Sequence, residues 1–130
     1  MKFSALALDY DGTIAVDGVF ESAVRDAVGE ARRRGIVVIL VTGRRLTDLH
    51  HVARDLTCFD VIVAENGAVL EFPADGQHVG IGHAPSPAFL RELERRAIPF
   101  AAGESVVSYS VANQAAQSRQ PSRLLKGAEA

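Results

Sequence analysis

The spacing of apolar and polar positions changes several times along the chain, and each change predicts an element. Residues 3–8 are a short apolar run bounded by charge, which predicts a buried strand. Residues 9–18 are rich in Asp and Gly, as expected of a loop at that strand's carboxyl end. From Ser22 onward Val24, Ala27, Val28 and Ala31 fall at i, i+3, i+4 and i+7, the period of a helix with one apolar side. Ser22 suits its N-cap, and Gly35 stands where a left-handed residue closes the other end. Residues 36–41 are continuously apolar and β-branched, which predicts a strand covered on both faces. Leu46, Leu49, Ala53 and Leu56 mark one side of a second helix, and residues 60–64 form a third strand. Strand, helix, strand, helix, strand predicts an α/β fold with a parallel sheet and right-handed crossovers.

The pattern then becomes less regular. Residues 68–72 and 77–82 flank Pro73-Ala74-Asp75-Gly76 and read as a hairpin. Ser86 and Pro87 fit the N-cap and first position of another helix, with Phe89, Leu90 and Leu93 as its core side. Residues 104–111 alternate Val107, Tyr109 and Val111 against Val106, Ser108 and Ser110, a strand with two unlike faces. Residues 112–123 are polar, rich in Gln and Ser and without period, as in a linker or tail. The expected organisation is a core over residues 1–72, a smaller α+β segment over 73–111, and a tail over 112–130.

Composition narrows the field. At 130 residues there is room for one domain and one core. Hydrophobic residues at 48% and charged residues at 23% are ordinary for a globular protein. A net charge of −2 gives no basic footprint for nucleic acid, and Arg32-Arg33-Arg34 reads as a solvated helix end. The lone Cys58 cannot form an internal disulfide, which fits a reducing cytoplasm, and it reads as packed rather than reactive. Asp9 and Asp11 interrupt the first apolar run too soon for a signal peptide or membrane span. His50 and His51 read as a surface pair, and His78 and His83 bracket the hairpin without the Cys or carboxylate support a metal site needs.

The chemistry gathers at strand ends. Asp9-Tyr10-Asp11-Gly12-Thr13 puts two carboxylates two residues apart after a buried strand, so an extended backbone points both the same way. Two such groups side by side invite a hard cation. Gly12 permits a tight turn, and Thr13 offers a hydroxyl and an amide. Taken alone, the same residues also suit an Asx turn and helix cap. An EF-hand does not fit, since Val16, Asp17 and Val19 fail to supply its ligands in order. Thr42-Gly43-Arg44 follows the second strand, where a hydroxyl, a close backbone approach and a helix start suit a phosphate; a plain helix cap is the alternative. Asn66-Gly67 follows the third strand and would by itself be a turn. Polar groups at three successive strand ends lie where open α/β sheets bind ligands.

In order and spacing these runs resemble the haloacid dehalogenase superfamily. Leu8-Asp9-Tyr10-Asp11-Gly12-Thr13 is similar to its first motif. Thr42-Gly43-Arg44 and the following Asn66-Gly67 are similar to those of its sugar-phosphatase-like (type IIB) subgroup. The resemblance implies a Rossmann-like parallel sheet, here incomplete, with residues 73–111 as a reduced cap. It implies Asp9 as a nucleophile that takes up the phosphoryl group, Asp11 as acid and base, and Gly12, Thr13, Thr42, Gly43, Arg44 and Asn66 around the phosphate. Mg²⁺ would be held by Asp9 and by the backbone carbonyl of Asp11. Lys126, in Lys126-Gly127-x-Ala form less one residue, stands either for the superfamily's charge-neutralising lysine or for an ordinary tail lysine. The superfamily's later acidic motif has no counterpart in these residues, so the chain resembles a truncated or split member.

The expected function is therefore Mg²⁺-dependent hydrolysis of a small phosphorylated metabolite through an aspartyl-phosphate on Asp9. The alternative is a catalytically impaired member acting as a phosphate-binding or assembly module. Neither nucleic acid nor membrane is an expected partner. A homodimer or a complementing second chain is expected at the open sheet edge.

Overall fold

The computed structural model describes residues 2–109. In chain order the elements are β1 (Ala5–Asp9), β2 (Ala15–Val16), β3 (Val19–Phe20), α1 (Ser22–Arg33), β4 (Val37–Val41), α2 (Leu46–Val52), β5 (Val61–Ala64), β6 (Val69–Phe72), β7 (Gln77–Gly80), α3 (Pro87–Arg95), β8 (Phe100–Ala102) and β9 (Val107–Tyr109). The main sheet runs β1-β4-β5-β6-β7. The pairs β1–β4 and β4–β5 are parallel, and the pairs β5–β6 and β6–β7 antiparallel. This is the expected α/β arrangement, with its parallel half built from the two crossovers. The expected hairpin forms as β6 and β7 and extends the main sheet. The pairs β2–β3 and β8–β9 form two small antiparallel ladders of their own.

Strand alternation divides the sheet into two unlike faces. Val38, Leu40, Ile62, Ala64 and Val69 are buried on one face. They pack there with Val28 of α1, Leu46 and Leu49 of α2, and the following Ala53, Leu56 and Phe59. On the other face Ile39, Val41, Val61, Val63 and Leu70 are only half-buried, and Val37, Phe72 and Val79 are exposed. The expectation that β4 would be covered on both faces is thus corrected: its residues alternate between buried and accessible. The β1 edge is also apolar and open, with Phe3 68% and Leu6 40% exposed.

Local chemistry sets the element ends. Ser22 is the first helical residue of α1 and not its cap; Glu21 occupies that place without a side-chain cap bond. Gly35 closes α1 at φ 79°, as expected. α2 is shorter than its apolar period suggested, because the backbone is already extended at Ala53; Ala53 and Leu56 remain buried outside the helix. Ser86 caps α3 by accepting from the Phe89 amide at 3.2 Å. Leu93 is buried on that helix, while Phe89 is exposed rather than core. No helix among the described residues is long and apolar enough to cross a membrane.

Candidate active site

Parallel register brings the strand ends level. Asp9 pairs with Val41, and Val41 with Val63, so Asp9, Thr42 and the turn after β5 emerge at one end of the sheet. The Tyr10 amide donates to Val41 O at 3.2 Å, which ties the first motif to the second strand. Tyr10 is fully buried between exposed Asp9 and Asp11, and its hydroxyl donates to Gly18 O at 3.0 Å. Burial pushes the Tyr10 phenol up, against a lesser pull from Arg44. Past this anchor the chain turns sharply. Tyr10 O accepts from the amides of Thr13, Ile14 and Ala15, and Gly12 takes φ 74°. The hairpin β2–β3 then rises beside the site, turning through Asp17 and Gly18 at φ 51° and 77°.

Arg44 bridges the first two strand ends. Its Nε and Nη2 donate to Oδ2 and Oδ1 of Asp11, both at 2.7 Å, a fork-on-fork pair. The Arg44 hydrogen bonds hold the Asp11 carboxyl below the usual carboxylate value, and the same pair raises Arg44. The guanidinium carbon also lies 5.7 Å from the centre of the Tyr10 ring. Thr42 is 3% exposed; its Oγ1 accepts from the Arg44 amide at 3.1 Å, which leaves the hydroxyl proton free to donate.

The third strand end completes the site. The Asn66 amide donates to Thr42 O at 3.3 Å, and the Glu65 amide to Arg44 O at 3.0 Å. A Cβ on Gly43 would lie 2.8 Å from Asn66 Oδ1, so glycine is what lets the asparagine approach. Glu65, Asn66 and Gly67 all have positive φ, a left-handed turn that aims Asn66 back toward the second motif.

Asp9, Asp11, Thr42, Gly43, Arg44 and Asn66 are therefore brought to one end of the sheet, with Gly12 and Thr13 in the adjoining turn. Lys126 lies outside the described residues. Sequence reasoning missed Glu65, whose buried carboxylate holds the loop 103–106. It also missed two histidine partners. His50 Nε2 lies 2.8 Å from the Glu71 carboxylate, and His78 Nε2 lies 2.9 Å from Glu104. These pairs line a side cavity of about 600 Å³ between α2, the β6–β7 hairpin and residues 102–104. Cys58 is half-buried against the core, and burial pushes its thiol up, which fits a packing role.

Hard oxygen donors at Asp9 and at the Asp11 carbonyl suit Mg²⁺, which binds through one or two carboxylates and completes its shell with water and phosphate. Among the described residues no group of three or more His, Cys, Asp or Glu side chains is arranged to hold a metal.

The fold and site define an open α/β protein that presents carboxylates, a hydroxyl and a guanidinium at the carboxyl ends of adjacent parallel strands. A family model of haloacid dehalogenase-like hydrolases matches residues 6–85, and the chain belongs to that family. A haloacid dehalogenase-like hydrolase from B. subtilis is 25% identical, with 75% of this chain and 35% of that one covered at a TM-score of 0.58. Thermoplasma acidophilum 0175 is 16% identical, covers 91% of this chain and 55% of its own, and superposes at a TM-score of 0.70. A subclass IIB sugar phosphatase is 21% identical, with 89% and 47% covered, at a TM-score of 0.56. The chain thus spans between 35% and 55% of the length of these solved relatives.

Proposed function

We propose that the protein is a phosphatase in which Asp9 accepts the phosphoryl group of a small phosphorylated metabolite. The observation that carries this reading is the Asp9–Tyr10–Asp11 strand end tied to Val41 of the neighbouring strand and to the Arg44 that follows it, with Thr42 between the two. Asp9 Oδ attacks phosphorus, and the bond from phosphorus to the leaving oxygen breaks. Asp11 delivers its proton to that oxygen. Asp11 then takes a proton from water, whose oxygen attacks the aspartyl-phosphate; the bond to Asp9 breaks and phosphate departs. Arg44 holds the Asp11 carboxyl below its usual value in the resting site, so Asp11 takes up from solvent the proton it later delivers only when Arg44 turns to the incoming phosphoryl oxygens. Thr42 and Asn66 supply further contacts to those oxygens, and Lys126 is the proposed cation for the phosphorylated aspartate. Mg²⁺ held by Asp9 and the Asp11 carbonyl would neutralise phosphoryl charge.

The family match and the sugar phosphatase among the structural neighbours support a sugar phosphate or similar metabolite as substrate. A cytoplasmic location fits such a substrate. A second copy or a complementing chain is the proposed cover for the open β1 edge and the apolar sheet face. One observation favours a second reading, a phosphate-binding module without turnover: the described residues gather no group of three His, Cys, Asp or Glu side chains that could hold a metal. Hydrolysis of p-nitrophenyl phosphate separates the two. The enzyme reading expects turnover with Mg²⁺ that EDTA abolishes; absence of turnover in folded protein that still binds phosphate would favour the module.

A further inference from the structure

Glu65 joins two parts of the molecule through its side chain and its backbone. The residue is 2% exposed, and its carboxylate accepts from three consecutive amides, Glu104 at 3.1 Å, Ser105 at 2.8 Å and Val106 at 3.2 Å. The loop comes so close that a Cβ at Gly103 would lie 2.3 Å from Glu65 Oε1. On the backbone side, the Glu65 amide donates to Arg44 O at 3.0 Å, and the next amide, of Asn66, donates to Thr42 O. Glu65 and Asn66 have φ 53° and 57°, a conformation that side-chain-bearing residues adopt only when the surroundings enforce it. Asn66 tolerates it, but a glutamate does not do so readily. The turn is held by these backbone bonds on one side and by the three amide bonds to the carboxylate on the other.

We infer that Glu65 is a positioning residue that couples the loop 103–106 to the phosphate pocket. With the loop gripped, the left-handed turn is held, Asn66 Oδ1 stays against Gly43, and the Thr42–Arg44 backbone keeps its place. With the loop released, the turn relaxes and the pocket loses its shape. The segment expected from sequence to act as a cap thus acts on the pocket from the third strand end. Its consequence for phosphate binding rests on the reading of Thr42, Arg44 and Asn66 given above; the mechanical coupling does not.

The test uses the full chain, ¹⁵N-labelled, with inorganic phosphate as probe. In Glu65→Ala the amides of residues 104–106 lose exchange protection, the Gly43, Arg44 and Asn66 resonances shift in phosphate-free protein, and phosphate affinity falls on the order of tenfold, an ordinary coupling between sites. Glu65→Gln, which keeps one acceptor oxygen, gives the same changes at smaller size. If both Glu65 variants fail to fold, Ser105→Pro removes one donor from the loop and leaves the buried carboxylate in place; the same shifts at Gly43 and Asn66 are expected. Loss of protection at 104–106 with the pocket resonances and phosphate affinity unchanged would overturn the coupling and leave Glu65 a loop anchor. A wild-type protein that ignores phosphate would overturn the phosphatase reading instead, while the phosphate-free shifts still decide the coupling.

Discussion

Gly103→Ala puts the contact between the core and the 103–106 loop under a defined load. The new Cβ would meet Glu65 Oε1, Cδ and Oε2 at 2.3, 2.6 and 2.6 Å, about 1 Å inside ordinary contact at 3.4 Å. Glu65 is buried and its carboxylate is gripped by this same loop, so the carboxylate and the loop have to separate by a similar distance. Its three amide bonds, now 2.8 to 3.2 Å, then open beyond hydrogen-bonding range. Bonds to a charged group contribute roughly 1.5–3 kcal/mol each, but the freed amides regain water. What remains is chiefly a buried carboxylate with its partners withdrawn, a cost of about 2–4 kcal/mol. At roughly 4 °C per kcal/mol for a domain of this size, Tm should fall by roughly 8–16 °C. Gly80→Ala is the control: its Cβ would sit 3.4 Å from Glu104 Oε2, an ordinary contact, and the change should stay within about 0.5 kcal/mol. Urea or thermal unfolding reads both variants. A Gly103→Ala protein as stable as the control would refute the argument that the carboxylate's grip on the loop holds this region.

Two further outcomes follow from the geometry. Arg44 depresses the Asp11 pKa, so the stabilisation from the pair is present above the ordinary carboxylate value and is lost as pH falls through the lowered one. Arg44→Ala should therefore move the Asp11 midpoint upward in a carbon-detected NMR titration and flatten the acid limb of stability; an unmoved midpoint would contradict the pairing. If the apolar sheet face and β1 edge pack against a second copy, Val37→Glu should convert a dimer to monomer in light scattering without unfolding it. Monomeric wild-type protein would rule that copy out.

The parallel half of the fold was legible because its elements depend on short-range pattern. The helical period of α1, the β-branched run of β4 and the Ser86-Pro87 start of α3 each act within a few residues. Asp9, Asp11, Thr42, Arg44 and Asn66 could be grouped because strand ends in a parallel sheet converge. One local signal was present and went unread: Val16-Asp17-Gly18-Val19 carries an Asp-Gly turn between two valines, the signature of the β2–β3 hairpin. β8 gave no such signal, since Phe100-Ala101-Ala102 does not alternate and is fixed by pairing with β9. The uncovered face of β4 could not be read either. A continuous apolar run records that both faces avoid polar groups, not what lies against them. Glu65 was hidden for a related reason: nothing in its neighbours announces that residues 103–106, some forty positions away, bring their amides to its carboxylate.

The most direct test of the central claim compares wild type with Asp9→Asn for hydrolysis of p-nitrophenyl phosphate, with and without Mg²⁺. Asparagine preserves the size of the side chain and removes the nucleophilic oxygen's charge, so a folded Asp9→Asn protein isolates the chemistry. The account predicts Mg²⁺-dependent turnover in wild type and its loss in Asp9→Asn, with phosphate still bound at the Thr42–Asn66 pocket. Equal turnover in the two proteins would contradict a phosphoryl group carried on Asp9.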